Sequence, residues 1–337
     1  MVRMKRHYGN NGVVMMKRYY GNTVLVTGAS SGIGKSCAEY LAGMGFKVYG
    51  TSRKAQDLAG PGIQDTAGHD MQEPPRHGAQ DFSGHHADGA SNNGIQADGA
   101  QKGKRGDAGQ SCGVTMIRMD VCSEESIKAA IDHIIEREGE IGIVVNNAGM
   151  GIAGSVEDTS PDEAFLQFDT NFFGMHRVIR QVLPHMRKNS RGLIINISSV
   201  GALFPIPFQS MYIASKAAVE LMSGSLRNEL RSFGVKVCVV EPGDTKTGFT
   251  ANRLFVKAGG EDSAYFLQGK KSVEVMERDE MNGPEPIVVA KAVARAIKRK
   301  NPPAFITVGL SYKLLVFLRR LVPRSLVSFI VAKMYKC

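Results

Sequence analysis

The stretch "NTVLVTGASSGIGKSCAEYLAGMGFKVYGTSR", residues 22–53, leaves little freedom of fold. A short β-branched apolar run ends in Gly28, as a strand running into a tight turn does. Beyond the turn Ile33, Cys37, Tyr40, Leu41 and Met44 recur at helical spacing, and "FKVYGTSR" follows as a second strand. Strand, glycine turn, helix and strand make a βαβ unit, which is right-handed in nearly all proteins.

The alternation resumes further along. "VTMIRMDV", "IGIVVNNAG", "RGLIINISS" and "GVKVCVVEPG" are near-continuous apolar runs. Between them lie helical patterns: one opening at Ser123 with an acidic first turn, one from about Pro161 to Met186, and one around "MYIASK". Strands of that composition are buried on both faces. The expected fold is therefore α/β, a single Rossmann-type doubly wound parallel sheet of about seven strands with helices on both faces, over residues 21–309.

Three segments fall outside that pattern. Residues 1–20 are expected as a flexible basic arm, where "MKRHYGN" nearly repeats as "MKRYYGN"; the repeat is either a short duplication or a sign that Met16 is an alternative start. Residues 56–113 are rich in Gly, Ala, Asp, Gln and His and nearly devoid of β-branched and aromatic residues, so they are expected as a low-complexity, disordered insertion in a surface loop. Its His85–His86 pair lacks regular ligand spacing, and no metal site is assigned. Residues 310–337 form an apolar and basic helical extension, with Leu310, Leu314, Phe317, Leu318 and Leu321 in one stripe. Lys313, Arg319, Arg320 and Pro323 interrupt it well short of a membrane span. It is read as a helix packed over the mouth of the site, with an interfacial membrane helix as the alternative.

Charge follows the same division. The net charge is +10, yet residues 1–20 and 291–337 hold sixteen Lys and Arg and no acids, so the middle is net acidic by six. No basic face with readout residues emerges, so nucleic acid is not an expected partner. Basic ends suit solubility or attraction to anionic membranes. Five cysteines without a CxxC pair suit reduced thiols, and no apolar h-region marks a signal peptide; a cytoplasmic protein, with peripheral membrane association through the C-terminal segment as an addition, is the expected setting.

A glycine turn between strand and helix is the context a phosphate needs. Gly28 permits the turn, Gly32 the close approach of a pyrophosphate and Gly34 tight packing at the helix start. Ser30, Ser31 and Ile33 belong to the same turn, where a helix N-terminus offers free N–H groups. Which dinucleotide is bound depends on the end of the second strand. "GTSRK" has Ser52 and Arg53 and no carboxylate, which favours the 2′-phosphate of NADP(H) over NAD(H); a solvated loop arginine is the bland alternative.

Four further pieces occur in order: "NNAG" at 146–149, Asn171 in "DTNFFG", "NISS" at 196–199, and "YIASK" with Tyr212 and Lys216 one helical turn apart. Singly they read equally well as a turn, a helix-interior asparagine, strand-end caps and a polar helix strip. Together with TGASSGIG they resemble the short-chain dehydrogenase/reductase family in its classical form, over nearly all of residues 21–250. That resemblance implies a catalytic set of Asn171, Ser199, Tyr212 and Lys216, the serine lying thirteen residues before the tyrosine. It also implies a cofactor site lined by Asp120 and Val121 at the adenine, by Asn147, Ala148 and Gly149, by Tyr212 and Lys216, and by Pro242, Gly243, Thr245 and Thr247 at the nicotinamide. Thr245 stands where the family usually has an apolar residue.

The chemistry agrees with the residue types. Reducing a ketone takes a hydride from the cofactor and a proton from the protein. A nearby ammonium favours the phenolate and should bring the Tyr212 pKa down toward working pH. Ser199 would hydrogen-bond the substrate oxygen, and Asn171 would hold a water relaying protons to Lys216. Apolar Phe204 to Phe208, with no arginine cluster, suggest a lipophilic alcohol or ketone such as a steroid, retinoid or fatty-acyl derivative. That region and the C-terminal extension are similar to the branch of 17β-hydroxysteroid and retinol dehydrogenases, which implies a homodimer or homotetramer. The competing expectations are a cofactor-sensing regulator with little turnover, and a member acting on a 3-ketoacyl or sugar-type substrate.

Overall fold

The computed structural model describes residues 17–55 and 113–336. In chain order the strands are β1 (Thr23–Val26), β2 (Lys47–Ser52), β3 (Val114–Arg118), β4 (Ile143–Asn146), β5 (Ile152–Ala153), β6 (Gly192–Ile197), β7 (Val235–Glu241), β8 (Leu254–Phe255) and β9 (Phe305–Thr307). The helices are α1 (Gly32–Gly43), α2 (Glu124–Glu138), α3 (Pro161–Phe168), α4 (Gly174–Lys188), α5 (Ser210–Glu229), α6 (Phe266–Met281), α7 (Ile287–Ile297), α8 (Leu310–Arg319) and α9 (Arg324–Met334).

Seven strands form one parallel sheet in the order β3-β2-β1-β4-β6-β7-β9, and β5 pairs with β8 apart from it. Because side chains alternate across a strand, β1 feeds two cores. Val24 and Val26 pack with Cys37, Leu41, Val289 and Val293 of α1 and α7. Leu25 faces the other way, with Ile131, Val178, Ile194 and Val219 beneath α2, α4 and α5. This is the doubly wound α/β sandwich expected from the sequence.

Local chemistry sets the helix ends. Ser123 Oγ accepts from the Ser126 N–H and opens α2, which Gly139 closes in the left-handed region. Ser160 and Glu163 make a capping box at the start of α3, with Pro161 in the first turn. The helix expected over about 161–186 is not continuous. It divides at a π-helical turn, Asp169–Phe173, which contains Asn171.

Both chain-end expectations need amendment. Residues 1–16 and the insertion expected over 56–113, apart from Gly113, lie outside the described residues. The ordered domain, however, starts before residue 21. The Arg18 guanidinium lies 3.6 Å from the centroid of the Phe46 ring, and Tyr20 is buried with its hydroxyl 2.9 and 2.8 Å from the carbonyls of Arg299 and Lys300. At the other end α8 does lie over the loop after β7, as expected, but through Tyr312, with Arg319 over the Phe204 ring, and not through its apolar stripe. Leu310, Leu314, Phe317, Leu318 and Leu321 are all exposed, Leu310 to 83%. Among the described residues no helix is long and apolar enough to cross a membrane.

Candidate active site

The turn after β1 is built for a close backbone approach. Gly28 holds φ at +64°, and a Cβ on Gly34 would lie 2.1 Å from the Gly28 carbonyl oxygen, so only glycine fits there. Thr27 Oγ1 accepts from the N–H groups of Asn147 and Ala148, both at 2.9 Å, while Asn147 Nδ2 donates to the carbonyls of Thr27 and Gly28. The "NNAG" segment thus braces the turn from the end of β4. Ser30 and Ser31 are exposed, and Ser31, at the N-cap of α1, makes no side-chain capping bond. The first N–H groups of α1 are left for an outside acceptor, and Ile33 lies in that first turn, so these residues fit a pyrophosphate.

Along the same strand ends, Ser52 Oγ accepts from the Lys54 N–H and the Ser52 carbonyl accepts from Met119. Arg53 is exposed beside it. Asp120 Oδ1 accepts from the Cys122 N–H, and Val121 is buried against Gly174, where a Cβ would come within 2.8 Å. Cofactor candidates from the ends of β1, β2, β3 and β4 therefore share the carboxyl edge of the sheet, where open α/β sheets bind ligands.

At the end of β6 three consecutive residues meet three successive turns of α5. The Ile197 carbonyl accepts from Lys216 Nζ at 3.0 Å. Ser198 Oγ donates to Glu220 Oε1 at 2.8 Å. The Ser199 hydroxyl accepts from the Gly201 N–H at 3.0 Å and lies beside the Tyr212 phenol, whose pKa it pulls down. Lys216 Nζ stands 5.9 Å from the Tyr212 ring centroid. Burial pulls the Lys216 ammonium down to about 8, against the pull of Glu220. Burial also pushes Tyr212 up to about 12, with Ser199 and Arg253 opposing and Glu280 and Asp244 adding to the rise. The lowering of Tyr212 by Lys216 that the sequence suggested is outweighed: desolvation of the phenolate dominates.

Asn171 is brought to the same place with its side chain already engaged. Oδ1 accepts from the Met150 N–H at 2.8 Å, and Nδ2 donates to the Met150 carbonyl and to Ser215 Oγ. Both amide hydrogens are used within the chain. The π-helical turn lets Asn171 tie the residue after Gly149 to α5, whose Ser215 hydroxyl donates back to the Tyr212 carbonyl.

The loop after β7 closes over this group. The Pro242 carbonyl accepts from Val200, Thr245 Oγ1 donates to the Gly243 carbonyl, and Thr247 lies 3.3 Å from where a Gly32 Cβ would be. A loop that touches both the phosphate turn and the end of β6 spans the length a dinucleotide would need. The hydroxyl gives Thr245 a local bond, which accounts for a polar residue at that position. Gly243 lies under the Tyr312 ring of α8, 2.2 Å from where its Cβ would be, and the Tyr312 hydroxyl donates to Asp244 Oδ2 at 2.6 Å.

Several participants were not singled out from the sequence. Phe249 packs against Tyr212 with ring centroids 5.4 Å apart and the rings tilted by 55°, and Arg253 is buried beneath it, paired with Glu280. Phe249, Arg253 and Tyr312 arrive through tertiary contacts and carry no local signal. Glu220 did carry one: it lies four residues after Lys216 on the same helix stripe. Of the apolar residues before Tyr212, Phe204 lies under Arg319 of α8, while Phe208 is buried at φ +59° and supports Gly269 of α6.

Comparison with known proteins follows this geometry. The family model described as short chain dehydrogenase matches residues 22–67 and 93–254. A 3-ketodihydrosphingosine reductase from Bacteroides thetaiotaomicron is 36% identical over 85% of this chain and 87% of its own. Retinol dehydrogenase 8 from Bos taurus is 29% identical over 89% of this chain and 86% of its own. Among solved structures, a short-chain dehydrogenase from Streptomyces avermitilis is 27% identical, with a TM-score of 0.64 over 89% of this chain and 94% of its own.

Proposed function

The chain belongs to the short-chain dehydrogenase/reductase family, in the branch with the retinol and 17β-hydroxysteroid dehydrogenases, and from that premise we propose an NADP(H)-dependent enzyme that interconverts a ketone and a secondary alcohol on a lipophilic substrate. The observation that carries this reading is the grip of Ile197 and Ser198 on α5, which holds Lys216, with Tyr212 one turn before it beside Ser199, against the loop reaching the phosphate turn.

The bound nicotinamide supplies or takes up the hydride. Ser199 holds the substrate oxygen and Tyr212 gives it a proton as the alkoxide forms, or removes one in the reverse direction. A phenol at about 12 keeps its proton at neutral pH, which suits the reducing direction. Lys216, at about 8, is mostly charged at pH 7 and loses that charge as pH rises through 8. Asn171 positions α5 through Met150 and Ser215. Gly28, Ser30, Ser31, Gly32, Ile33 and Gly34 would hold the pyrophosphate, Ser52 and Arg53 the 2′-phosphate, and Asp120 and Val121 the adenine. Asn147, Ala148, Gly149, Pro242, Gly243, Thr245 and Thr247 would hold the nicotinamide half.

For the substrate, similarity to a 3-ketodihydrosphingosine reductase favours a ketone near the head of a long aliphatic chain over a steroid or retinoid. Turnover of 3-ketodihydrosphingosine, a 3-ketoacyl thioester, retinal and estrone with NADPH and NADH tests this. Consumption of NADPH with 3-ketodihydrosphingosine above the others is the expected result; no turnover of any carbonyl would favour a cofactor-sensing regulator.

The same reading gives α8 and α9 a role. Their exposed Leu310, Leu314, Phe317, Leu321, Phe329 and Met334 accompany Lys313, Arg320, Arg324, Lys333 and Lys336 with no acidic residue between 310 and 337. Apolar side chains flanked by cations suit an anionic lipid surface, and Tyr312 ties that surface contact to the cofactor loop at Asp244. A long-chain substrate would then be met where it resides. The protein is proposed to work as a homodimer or homotetramer.

A further inference from the structure

Glu220 is a carboxylate in a place where carboxylates are costly. It is 8% exposed, one helical turn beyond Lys216, itself 5% exposed, and two beyond Tyr212. Such burial of a charge is sustained only by hydrogen bonds and opposite charges. Ser198 Oγ supplies the hydrogen bond at 2.8 Å, and the same hydroxyl lies 3.3 Å from the Lys216 carbonyl. The groups that bear on Glu220 come from four elements: the charged or titratable Lys216 on α5, Glu241 at the end of β7 and Arg319 on α8, and the neutral Ser198 hydroxyl at the end of β6.

We propose that Glu220 is a positioning residue for the proton-transfer pair, whose carboxylate, gripped by Ser198, holds Lys216 in its charged form against the end of β6. The inference deepens the oxidoreductase reading and rests on it for the consequence to turnover. Geometry assigns the division of labour. Lys216 Nζ is anchored on one side by the Ile197 carbonyl, a dipole without net charge. The next turn of the same helix face brings a buried carboxylate, Glu220, whose charge favours that ammonium. Burial pushes Glu220 up to about 7, with Ser198 pulling it down, Glu241 pushing it up, and Arg319 and Lys216 pulling it down. Its charge is therefore present above neutral pH, where Lys216 would otherwise lose its proton, and absent well below.

The sign of the test follows. Glu220→Gln keeps the shape and the acceptor for Ser198 and removes only the charge. Losing a nearby anion disfavours the ammonium, so Lys216 should give up its proton about one pH unit lower. The direct readout is NMR titration of the Lys216 side chain in isotopically labelled protein, assigned by the signal missing in Lys216→Met. The second readout is the pH profile of NADPH-dependent carbonyl reduction. Its alkaline limb should move down by the same amount, and the two profiles should meet below about pH 6, where the glutamate is itself protonated. A merely structural role would lower the rate at every pH without moving the limb. Glu220→Asp, which keeps the charge, should leave the limb near its original position. Ser198→Ala should move it downward by less than Glu220→Gln, because Glu220 then ionises later; this variant carries the test if Glu220→Gln does not fold. An unmoved Lys216 titration overturns the proposal even if turnover is normal. A moved titration in a protein that reduces no carbonyl upholds the electrostatic role and refutes the catalytic reading instead.

Discussion

α5 and α8 both reach the cofactor loop, and each breaks the ordinary rule of burial in the opposite sense. α5 buries Ser215, Lys216, Glu220 and Ser223 along with Val219, whereas α8 buries no residue at all and turns four large apolar side chains and Leu310 outward. Every buried polar group on α5 that takes part in the site has a named partner: Asn171 for Ser215, the Ile197 carbonyl for Lys216, Ser198 for Glu220, Asn196 for Ser223. The apolar face of α8 has none among the described residues. A fully satisfied polar cluster costs stability that packing elsewhere must offset, and it holds reacting groups in one geometry. An uncovered apolar face contributes nothing to the fold until something outside covers it. The first is what the proposed proton transfer requires, the second what the proposed surface contact requires.

The largest expected effect breaks the α5 side of this contrast. Tyr212→Phe keeps the ring that packs against Phe249 and removes the hydroxyl beside Ser199. Carbonyl reduction should fall by about 10³-fold, within the range for losing a positioned general acid, while NADPH binding followed by fluorescence titration stays near its original strength. Retained turnover would mean that the polar cluster of α5 is structural.

A smaller effect breaks the α8 side. Leu314→Glu with Phe317→Glu removes two exposed apolar groups, each worth about 1.5–3 kcal/mol when buried, so binding to anionic vesicles should weaken by about 10²-fold or more. Co-sedimentation with phosphatidylserine vesicles against phosphatidylcholine vesicles measures it, and activity on a detergent-dispersed substrate should persist because neither residue enters the site. If the variant instead dissociates an oligomer in lipid-free sedimentation and leaves vesicle binding unchanged, the face is a subunit contact.

Arg53, a charged residue left at the surface, follows the ordinary rule and should give the smallest effect. Arg53→Ala should raise KM for NADPH about tenfold and leave KM for NADH nearly unchanged, the loss of one charge-assisted contact to a 2′-phosphate. Equal changes for both cofactors would return Arg53 to the status of a solvated loop residue.

What the sequence determined by itself is what repeats or is local. The alternation of apolar strands and helical patterns announced the parallel sheet, because buried parallel strands must be apolar on both faces. The glycines of the first turn announced the phosphate site, because Gly34 has no room for a Cβ beside the Gly28 carbonyl. Tyr212 and Lys216 were legible as a pair because four residues along a helix put them on one face, whereas Ser199 came only from the resemblance of the whole motif set to the family. Tertiary structure decided the rest. Whether Lys216 or desolvation governs the Tyr212 phenol depends on how deeply both are enclosed, which spacing does not encode. The engagement of Asn171 by Met150 depends on a π-helical turn that no periodicity marks. Phe249, Arg253 and Tyr312 reach the site from chain segments 37 to 100 residues beyond Tyr212, so only the folded chain brings them to it. The face that α8 presents was read from sequence as packed, since an apolar stripe looks the same whether it packs inward or not; in the folded chain Tyr312 docks on Asp244 while the stripe faces outward.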